Sequence, residues 1–593
     1  MRYPTLPPIQ TSKEMIDVFR GYNHNLRIGA GEFYDMKNLS SNSYPILAPR
    51  GNRGIYATPQ STITGLIGKE EPCYVDGTDI VIGHNRIDLG LNDQPKQLVS
   101  MGAYVVIFPD KKYINTITTS DNGSLEASVT TSGKVSFTMC NLTGEAYTVT
   151  YKQATEPQAP EDGQIWIDTS VTPNSMKQFS ASSRMWASIA TAYIKIEAAG
   201  IGAGFSVDDG VTISGLKDVE LKNYTDGVTV ADTDITAIDG AFILYDVGTD
   251  YITIVGQLKE ARELSNAVTV SRTVPVMDFV IESGNRLWGC HYGENAKGEP
   301  VNEIYASKLA DFKNWNCFKG ISTDSYVASV GSDGEFTGAV SHLGYPLFFK
   351  DSCMHKVYGN YPANYQIQTT ACRGVQKGSH RSLAIVNEVL YYKSRLSVCA
   401  YDGSLPVEIS AALGEVMYTN ASAGAFANKY YISMADSSNI YHLFVFDTAK
   451  GLWHREDNTQ ADSFCSCGNE LYFIDRADGL IKTAFGSGTK LQKPVEWMAE
   501  TGIIGVDMLG KKYLSRLNIQ LVLEVGTRVN FYVQYDSMGD FEYVCTLAGV
   551  SLRSFTVPIR PKRCDHLRLR IEGTGNAKIF SICKTFEKGS DIG

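Results

Sequence analysis

Residues 285 to 318 read NRLWGCHYGENAKGEPVNEIYASKLADFKNWNCF. Two strand-like runs, RLWGC and NEIYASKL, flank a turn rich in Gly, Asn and Pro, and the segment closes on an Asn-Trp pair just ahead of another strand. This is the grammar of a β-propeller blade. Variants of it follow in LGYPLFFKDSCMHKVYG (343–359), NEVLYYKSRLSVCAYDGSL (387–405), NKYYISMADSSNIYHLFVFDTAKGLWHRED (428–457) and GNELYFIDRADGLIKTAF (468–485). Each is a hydrophobic hairpin with a polar or Gly-containing turn. They recur about every 40 to 50 residues, the period of blade repeats. The expectation is an all-β chain built on a β-propeller, with a long β-rich insertion and a C-terminal β-sandwich.

Composition suits that class. At 593 residues the chain is too long for one ordinary core. Its 54 Gly and 33 Tyr fit a turn-rich β protein, and 43% hydrophobic against 20% charged residues argues against disorder. The formal charge of −10 disfavours a broad duplex-gripping surface, because nonspecific affinity for nucleic acid comes from Lys and Arg neutralising phosphates. An acidic wall would let DNA pass without holding it.

No stretch approaches the roughly 18 uninterrupted apolar residues needed to cross a bilayer. The N-terminal run MRYPTLPPIQTSKEM lacks the apolar core of a secretory signal, so export by that route is not expected. Cys73, Cys140, Cys290, Cys317, Cys353, Cys372, Cys399, Cys465, Cys467, Cys545, Cys564 and Cys583 fall mostly within apolar strand patterns, as reduced core thiols do in a protein assembled in a cytoplasm.

Shifts in style divide the chain. Residues 1–113 hold the run FRGYNHNLRIGAGEFYDMKNLSSNSYPILAPRGNRG (19–54), read as a strap, and the first blades. Residues 114–262 are rich in Thr, Ser, Asp and Gly and read as an inserted β-rich module, since loops between strands absorb long inserts at small closure cost. Blades resume over 263–490. Clean alternation at RLNIQLVLEV and RVNFYVQYDS marks residues 491–593 as a sandwich.

The search for chemistry is thin. The chain has no GxxxxGK[ST], GxSxG or HExxH, and no Gly-rich turn between a strand and a helix. His291, His355 and His454 stand beside aromatic strand residues, as packing histidines do. Cys465 and Cys467 share one strand face with nothing nearby to complete a tetrahedral metal site. Trp166 and Trp186 invite a sugar-stacking reading, but each lies among apolar neighbours that a small sheet would bury. The sialidase-type turn is incomplete in SDGEF (332–336) and in YDGSLPV (401–407). The expectation is therefore no catalytic, cofactor-binding or metal site, no cofactor, and no enzymatic activity.

The strap carries the most specific resemblance. GYN, EFYDMKNLSS and YPILAPRGNRG resemble the opening of the tail hub or nozzle proteins of short-tailed bacteriophages, also called tail tubular or packaged-DNA stabilisation proteins. In that family an acidic residue and Asn precede a Pro-Arg-Gly signature, and Glu32, Asn38, Pro49, Arg50 and Gly51 occupy those places here. The blade NRLWG…NEIYASKLADFKNW and the stretch YYISMADSSNIYHLFVFDTAKGLWHRED are similar to recurring family blades. The resemblance implies a virion structural protein of the tail or neck, assembled in the host cytoplasm. It implies a ring, sixfold in the better-known relatives, that continues the portal channel, touches portal, adaptor and other tail proteins, and retains and conducts the genome without binding it specifically.

A physical reading of the strap fits. Gly21, Gly29, Gly31, Gly51 and Gly54 supply turns, Pro45 and Pro49 keep YPILAP extended, and Arg50 and Arg53 are candidates for salt bridges to other elements. Two alternatives stay open: a tail-tip protein that recognises a host surface glycan, and a propeller glycosidase with paired carboxylates.

Overall fold

The computed structural model of the chain describes residues 10–222, 228–488, 490–549 and 551–588; the first nine residues of the run read for a secretory signal lie outside these. With 51% of residues in strands and 3% in helix, the chain is all-β. No helix among the described residues is long and apolar enough to cross a membrane. The chain divides into two compact units, one formed by residues 1–98, 334–356 and 368–593 and the other by residues 99–333 and 357–367.

The first unit is built largely from four-stranded antiparallel meanders. One runs through Ile63–Gly68, Pro72–Asp76, Asp79–Ile82 and Asn85–Asp88. Another runs through Ala384–Val386, Val389–Lys393, Val398–Tyr401 and Val407–Glu408. The stretch 428–457 supplies three strands of a third, Lys429–Ala435, Tyr441–Asp447 and Leu452–Arg455, preceded by Thr419–Phe426. Lys429–Ala435 and Tyr441–Asp447 are buried along nearly their whole length, which explains their near-continuous apolar runs: sheets covered on both faces do not alternate.

The last meander, Ala461–Cys467, Glu470–Asp475 and Leu480–Thr483, takes its fourth strand from far away in sequence. The strap segment Gly54–Ala57 pairs antiparallel with Leu480–Thr483.

Two further sheets of this unit carry residues from both ends of the chain. One is ordered Thr11–Ile16, Ala577–Lys588, Lys512–Leu523, Arg553–Val557. The other is ordered Gly21–Tyr22, Glu32–Lys37, Glu496–Thr501, Leu567–Thr574, Arg528–Tyr535, Glu542–Ala548. Alternation is strict where the sequence shows it, so that Leu517, Ile519 and Leu521 on one sheet and Val529, Phe531, Leu569 and Ile571 on the other enter one core. The segment 491–593 therefore does not complete these sheets alone. Thr11–Ile16 and the strap strands Gly21–Tyr22 and Glu32–Lys37 fill their edges, and Ile16 with the strap residues Phe33 and Met36 belongs to the same core.

In the second unit the stretch that opens the sequence reading forms Arg286–Glu294 and Pro300–Ala306, with Trp288 opposite Ala306 and Cys290 opposite Ile304. Phe279–Ser283 and Tyr326–Ser329 flank them. The turn between the central strands is held by Asn295, whose side-chain oxygen accepts the N–H groups of Lys297 and Glu299. Trp288, Cys290 and Trp315 are buried, and both indoles donate to local carbonyls, of Ser283 and Phe312. They pack the sheet.

Between this meander and Tyr104–Phe108 with Lys112–Asn115, the described residues form three larger sheets and the two-stranded pair of Glu220–Lys222 with Thr229–Ala231. Val135–Cys140, Tyr193–Glu197 and Tyr251–Val255 centre one. A second joins Ala127–Thr130 to Thr269–Arg272, so the strands by which the inserted region leaves and returns are direct neighbours. The expected boundary at residue 262 falls short of this return strand. The third sheet is mixed: Val149–Gln153 runs parallel to Ile165–Asp168, and Ser175–Ser180 and Met185–Ile189 follow antiparallel.

Candidate functional site

Two of the strap residues that carry the family resemblance, Asn38 and Arg50, meet in one buried polar cluster. Asn38 sits at φ 56°, in the left-handed region that Asn tolerates better than most residues. There it ties three segments together. Its N–H donates to the Glu456 carbonyl at 2.6 Å, its carbonyl accepts from Arg50 N–H at 2.9 Å, and its Nδ2 donates to the Glu496 carbonyl at 2.8 Å. Its Oδ1 accepts from Arg50 Nε at 2.9 Å.

Arg50 and Arg53 then face Glu456 and Asp457. Arg53 Nη2 lies 2.6 Å from Glu456 Oε2 and its Nη1 2.9 Å from Asp457 Oδ2, while Arg50 reaches the same two carboxylates at 3.5 and 3.3 Å. The side chains are 5% and 7% exposed for the arginines against 9% and 19% for the acids, so water screens little of the attraction. Thr459 accepts from Arg53 at 2.7 Å and Gln492 from Arg50 at 3.2 Å. The Arg53 guanidinium also lies over the Phe473 ring.

The ionisation of the cluster follows from this geometry. Burial alone would push the Asp457 carboxyl up, but Arg53 and Arg50 outweigh it and hold the group well below the ordinary carboxylate range. Burial likewise opposes the charge on Arg53, and Asp457 and Glu456 more than restore it. Arg50 is shifted down, by burial and then by its neighbour Arg53. Two cations and two anions thus form a closed, charge-balanced lock between the strap and the loop after Leu452–Arg455.

Close approach explains two glycines. A Cβ on Gly54 would lie 2.7 Å from both the Gly488 nitrogen and Thr483 Oγ1. One on Gly21, whose φ is +82°, would lie 2.3 Å from the Trp453 carbonyl oxygen. The Pro-Arg-Gly glycine, Gly51, meets nothing within 4 Å and has no left-handed φ, so its place in the signature has no steric cause here. Pro49 lies in Ala48–Pro49, which pairs with Leu39–Ser40, and the Tyr44–Pro45 bond is cis. Glu32, the acidic signature residue, stands apart from the lock. Its Oε2 accepts Gly29 N–H at 2.6 Å and Asn23 Nδ2 at 3.0 Å, folding the 23–31 loop onto itself.

That loop borders a cleft of about 690 Å³ between the strap and the paired sheets, walled by Ile16, Phe33, Ile504 and Ile582. Glu14, Glu32 and Asp507 also line it, so three carboxylates share one cleft. Glu14 is held by Lys584 at 2.8 Å. Glu32 is occupied by the loop, and Asp507 is exposed.

In the second unit the Asn-Trp signal has a role that the sequence did not announce. Asn314 is fully buried; its Oδ1 accepts Gly210 N–H at 3.2 Å and its Nδ2 donates to the Asp208 carbonyl at 2.5 Å. A Cβ on Gly210 would lie 2.1 Å from the Asn316 carbonyl oxygen. Lys308 and Lys319 both bind the Asp208 carboxylate. The loop between Pro300–Ala306 and Tyr326–Ser329 thereby grips the inserted region. Spacing gave no sign of it, because the partners lie about a hundred residues upstream.

The other candidates are structural. Trp166 is buried, donates to the Gln153 carbonyl at 2.9 Å and meets Trp186 edge to face at 5.4 Å; Trp186 is half-buried and also meets Phe179. The Trp166 ring is further covered by the Lys177 ammonium, 4.5 Å from its centre. His355 and His454 are buried, and their rings are pushed down to about 4 and about 3, by burial first and then by Lys350 and Lys429 respectively. His291 lies between Asp278 and the Glu294 carbonyl. Cys465 and Cys467 are both buried, and burial pushes both thiols up, away from the reactive thiolate.

No protein-family model matches the chain, and no curated protein matches it. Solved structures do match. Sqt1 of Saccharomyces cerevisiae is 9% identical over 73% of this chain and 98% of its own, with a TM-score of 0.29. The exo-β-1,3-galactanase Pc1,3Gal43A of Phanerochaete chrysosporium is 9% identical over 51% and 94%, with a TM-score of 0.22. An engineered GH43 glycoside hydrolase with endo-xylanase and exo-arabinofuranosidase activity is 8% identical over 54% and 99%, at 0.20. The glycoside hydrolases among these matches overturn the expectation that the chain has no enzymatic activity, and that expectation is withdrawn. At TM-scores of 0.20 to 0.29 the likeness assigns no activity in its place.

Proposed function

We propose that this chain is a virion structural protein of a bacteriophage tail, a hub or nozzle ring that continues the portal channel and retains and conducts the genome. In this reading the four-stranded meanders are blades of a β-propeller, the inserted region projects from it, and the paired sheets at the chain ends form a β-sandwich that docks neighbouring tail proteins.

The observation that carries the reading is the strap lock. The residues that resemble the tail-hub signature, Asn38 and Arg50, are buried and fully engaged, together with Arg53, in joining the strap to a meander and to the paired sheets. A protein under axial load gains from such stitching, because strands from both chain ends share sheets and neither end can peel away alone. The strap strand Gly54–Ala57 supports the propeller arrangement in the same way, since it completes the last meander with a strand that immediately precedes the first.

The test is assembly and position. Native mass spectrometry of the purified chain, alone and with the other virion components, should show a closed ring of defined stoichiometry, and labelled particles imaged by electron microscopy should carry it at the neck or along the tail axis. A chain that stays monomeric under all of these conditions overturns the reading.

A further inference from the structure

The strap turns at Ser41–Ser43, a short 3-10 helix held at both ends. Ser40 Oγ accepts the Asn42 N–H at 3.3 Å, and the Tyr44 N–H donates to the Ser41 carbonyl at 3.0 Å. Ser41 Oγ donates to Asp447 Oδ2 at 2.5 Å, a buried bond that pins the turn to Tyr441–Asp447. Asp447 stands opposite Lys429 in the antiparallel pair of Lys429–Ala435 with Tyr441–Asp447. From there the Lys429 side chain reaches the turn: its Nζ donates to Asn42 Oδ1 and, at 3.3 Å, to Ser40 Oγ.

A lysine amine against a side-chain amide is a nucleophile beside an electrophile. The Asn42 carbonyl carbon lies one bond, about 1.23 Å, beyond the oxygen that Lys429 touches. Lys429 is fixed in a strand and Asn42 in a capped turn, and reacting groups oriented within one molecule reach effective molarities of about 10⁵–10⁸ M. Protonation ordinarily disarms a lysine. Burial pushes the Lys429 ammonium below its usual range, against the pull of Asp447 and Glu456, and so raises the share of neutral amine. Asn42 is exposed, so its amide nitrogen can depart into water.

We infer that Lys429 and Asn42 form an intramolecular isopeptide bond, a covalent staple between the strap and the meander of residues 419–455. The neutral Lys429 Nζ adds to the Asn42 carbonyl carbon and sheds a proton, which water carries to Asn42 Nδ2. The bond from that carbon to Nδ2 then breaks and ammonia leaves, with nothing oxidised or reduced. The staple differs in kind from the arginine lock. Ion pairs open with the sheet, whereas an amide keeps the strap tied to Lys429–Ala435 even in the unfolded chain.

The experiment is intact-mass spectrometry of the denatured full chain after prolonged incubation at neutral pH, followed by tryptic mapping. The wild-type chain should be lighter than its sequence by one ammonia, about 17 Da, and should yield a branched peptide joining Asn42 to Lys429, with no cleavage after Lys429. Lys429→Arg and Asn42→Ala should each restore the full sequence mass while leaving the circular dichroism spectrum unchanged. Succinimide formation at Asn122-Gly123 would lose the same mass, but it would leave Lys429 cleavable and would survive Lys429→Arg. A wild-type chain at its full sequence mass, or a loss that persists in Lys429→Arg without a branched peptide, overturns the inference.

Discussion

Replacing Arg53 with Ala removes the best-connected side chain of the strap lock. It deletes ion pairs at 2.6 and 2.9 Å and the bond to Thr459, leaving Glu456 and Asp457 to share Arg50 at 3.5 and 3.3 Å. Breaking a buried pair from one side costs about 3–5 kcal/mol, because the remaining charge stays out of water. Arg50 still supplies one compensating cation, so the cost is expected near the lower bound, about 3 kcal/mol, or roughly a hundredfold in an equilibrium constant.

Global unfolding of a chain with two units is no two-state measurement. The assay is therefore hydrogen exchange at the amides that join Gly54–Ala57 to Leu480–Thr483, which should lose protection by about two powers of ten if this pairing opens as one unit. Acid supplies a second reading of the same cluster. A carboxyl with a depressed folded-state pKa stabilises fully above its unfolded value of about 3.9 and loses that contribution as pH falls through the folded value. Asp457 is such a group. The wild-type lock should weaken progressively below about pH 4, and Arg53→Ala should show a shallower acid loss. Exchange changed by less than about threefold, with an unaltered acid profile, would refute the view that the lock holds the strap.

Gly54→Ala would push a Cβ to 2.7 Å from the Gly488 nitrogen and Thr483 Oγ1; overpacking of this kind should cost about 1–3 kcal/mol and raise exchange in the same strands. Asn314→Ala leaves the buried Gly210 N–H and Asp208 carbonyl without their partner, a loss of about 1–3 kcal/mol for each unsatisfied group, read as faster limited proteolysis between residues 127 and 272. His454 is buried with its pKa pushed down to about 3. The unfolded chain takes up its proton near 6.5, so stability should fall as pH drops from there towards about 3, and His454→Asn should flatten that slope in urea titrations.

How far the residues alone reach depends on whether the partner is near in sequence. The hairpin at Arg286–Ala306 is legible because its strands, its Asn-anchored turn and its apolar runs all lie within about twenty residues, and pairing there has little alternative. The alternation of 512–523 and 567–574 is legible for the same reason, since a one-residue slip would turn every apolar side chain to the wrong face. Arg50 and Arg53 could be marked as ion-pair candidates because charged residues in an apolar, Pro-fixed strap need compensation. Their partners, Glu456 and Asp457, could not be named: some four hundred residues separate them, and the chain offers 64 acidic residues to choose from.

The same reasoning separates what the amino-acid order determined from what folding decided. Local pattern determined the all-β class and the meanders, because hydrophobic periodicity and turn chemistry act over a few residues. Tertiary structure decided that strands from residues 11–37 fill the edges of sheets made by residues 496–588, that Gly54–Ala57 completes a meander at the far end of the chain, and that Asn314 clamps the inserted region. An edge strand or a clamp is chosen by which free hydrogen-bonding edge lies within reach once the cores have formed. That is a property of distance in space, and no spacing along the chain encodes it.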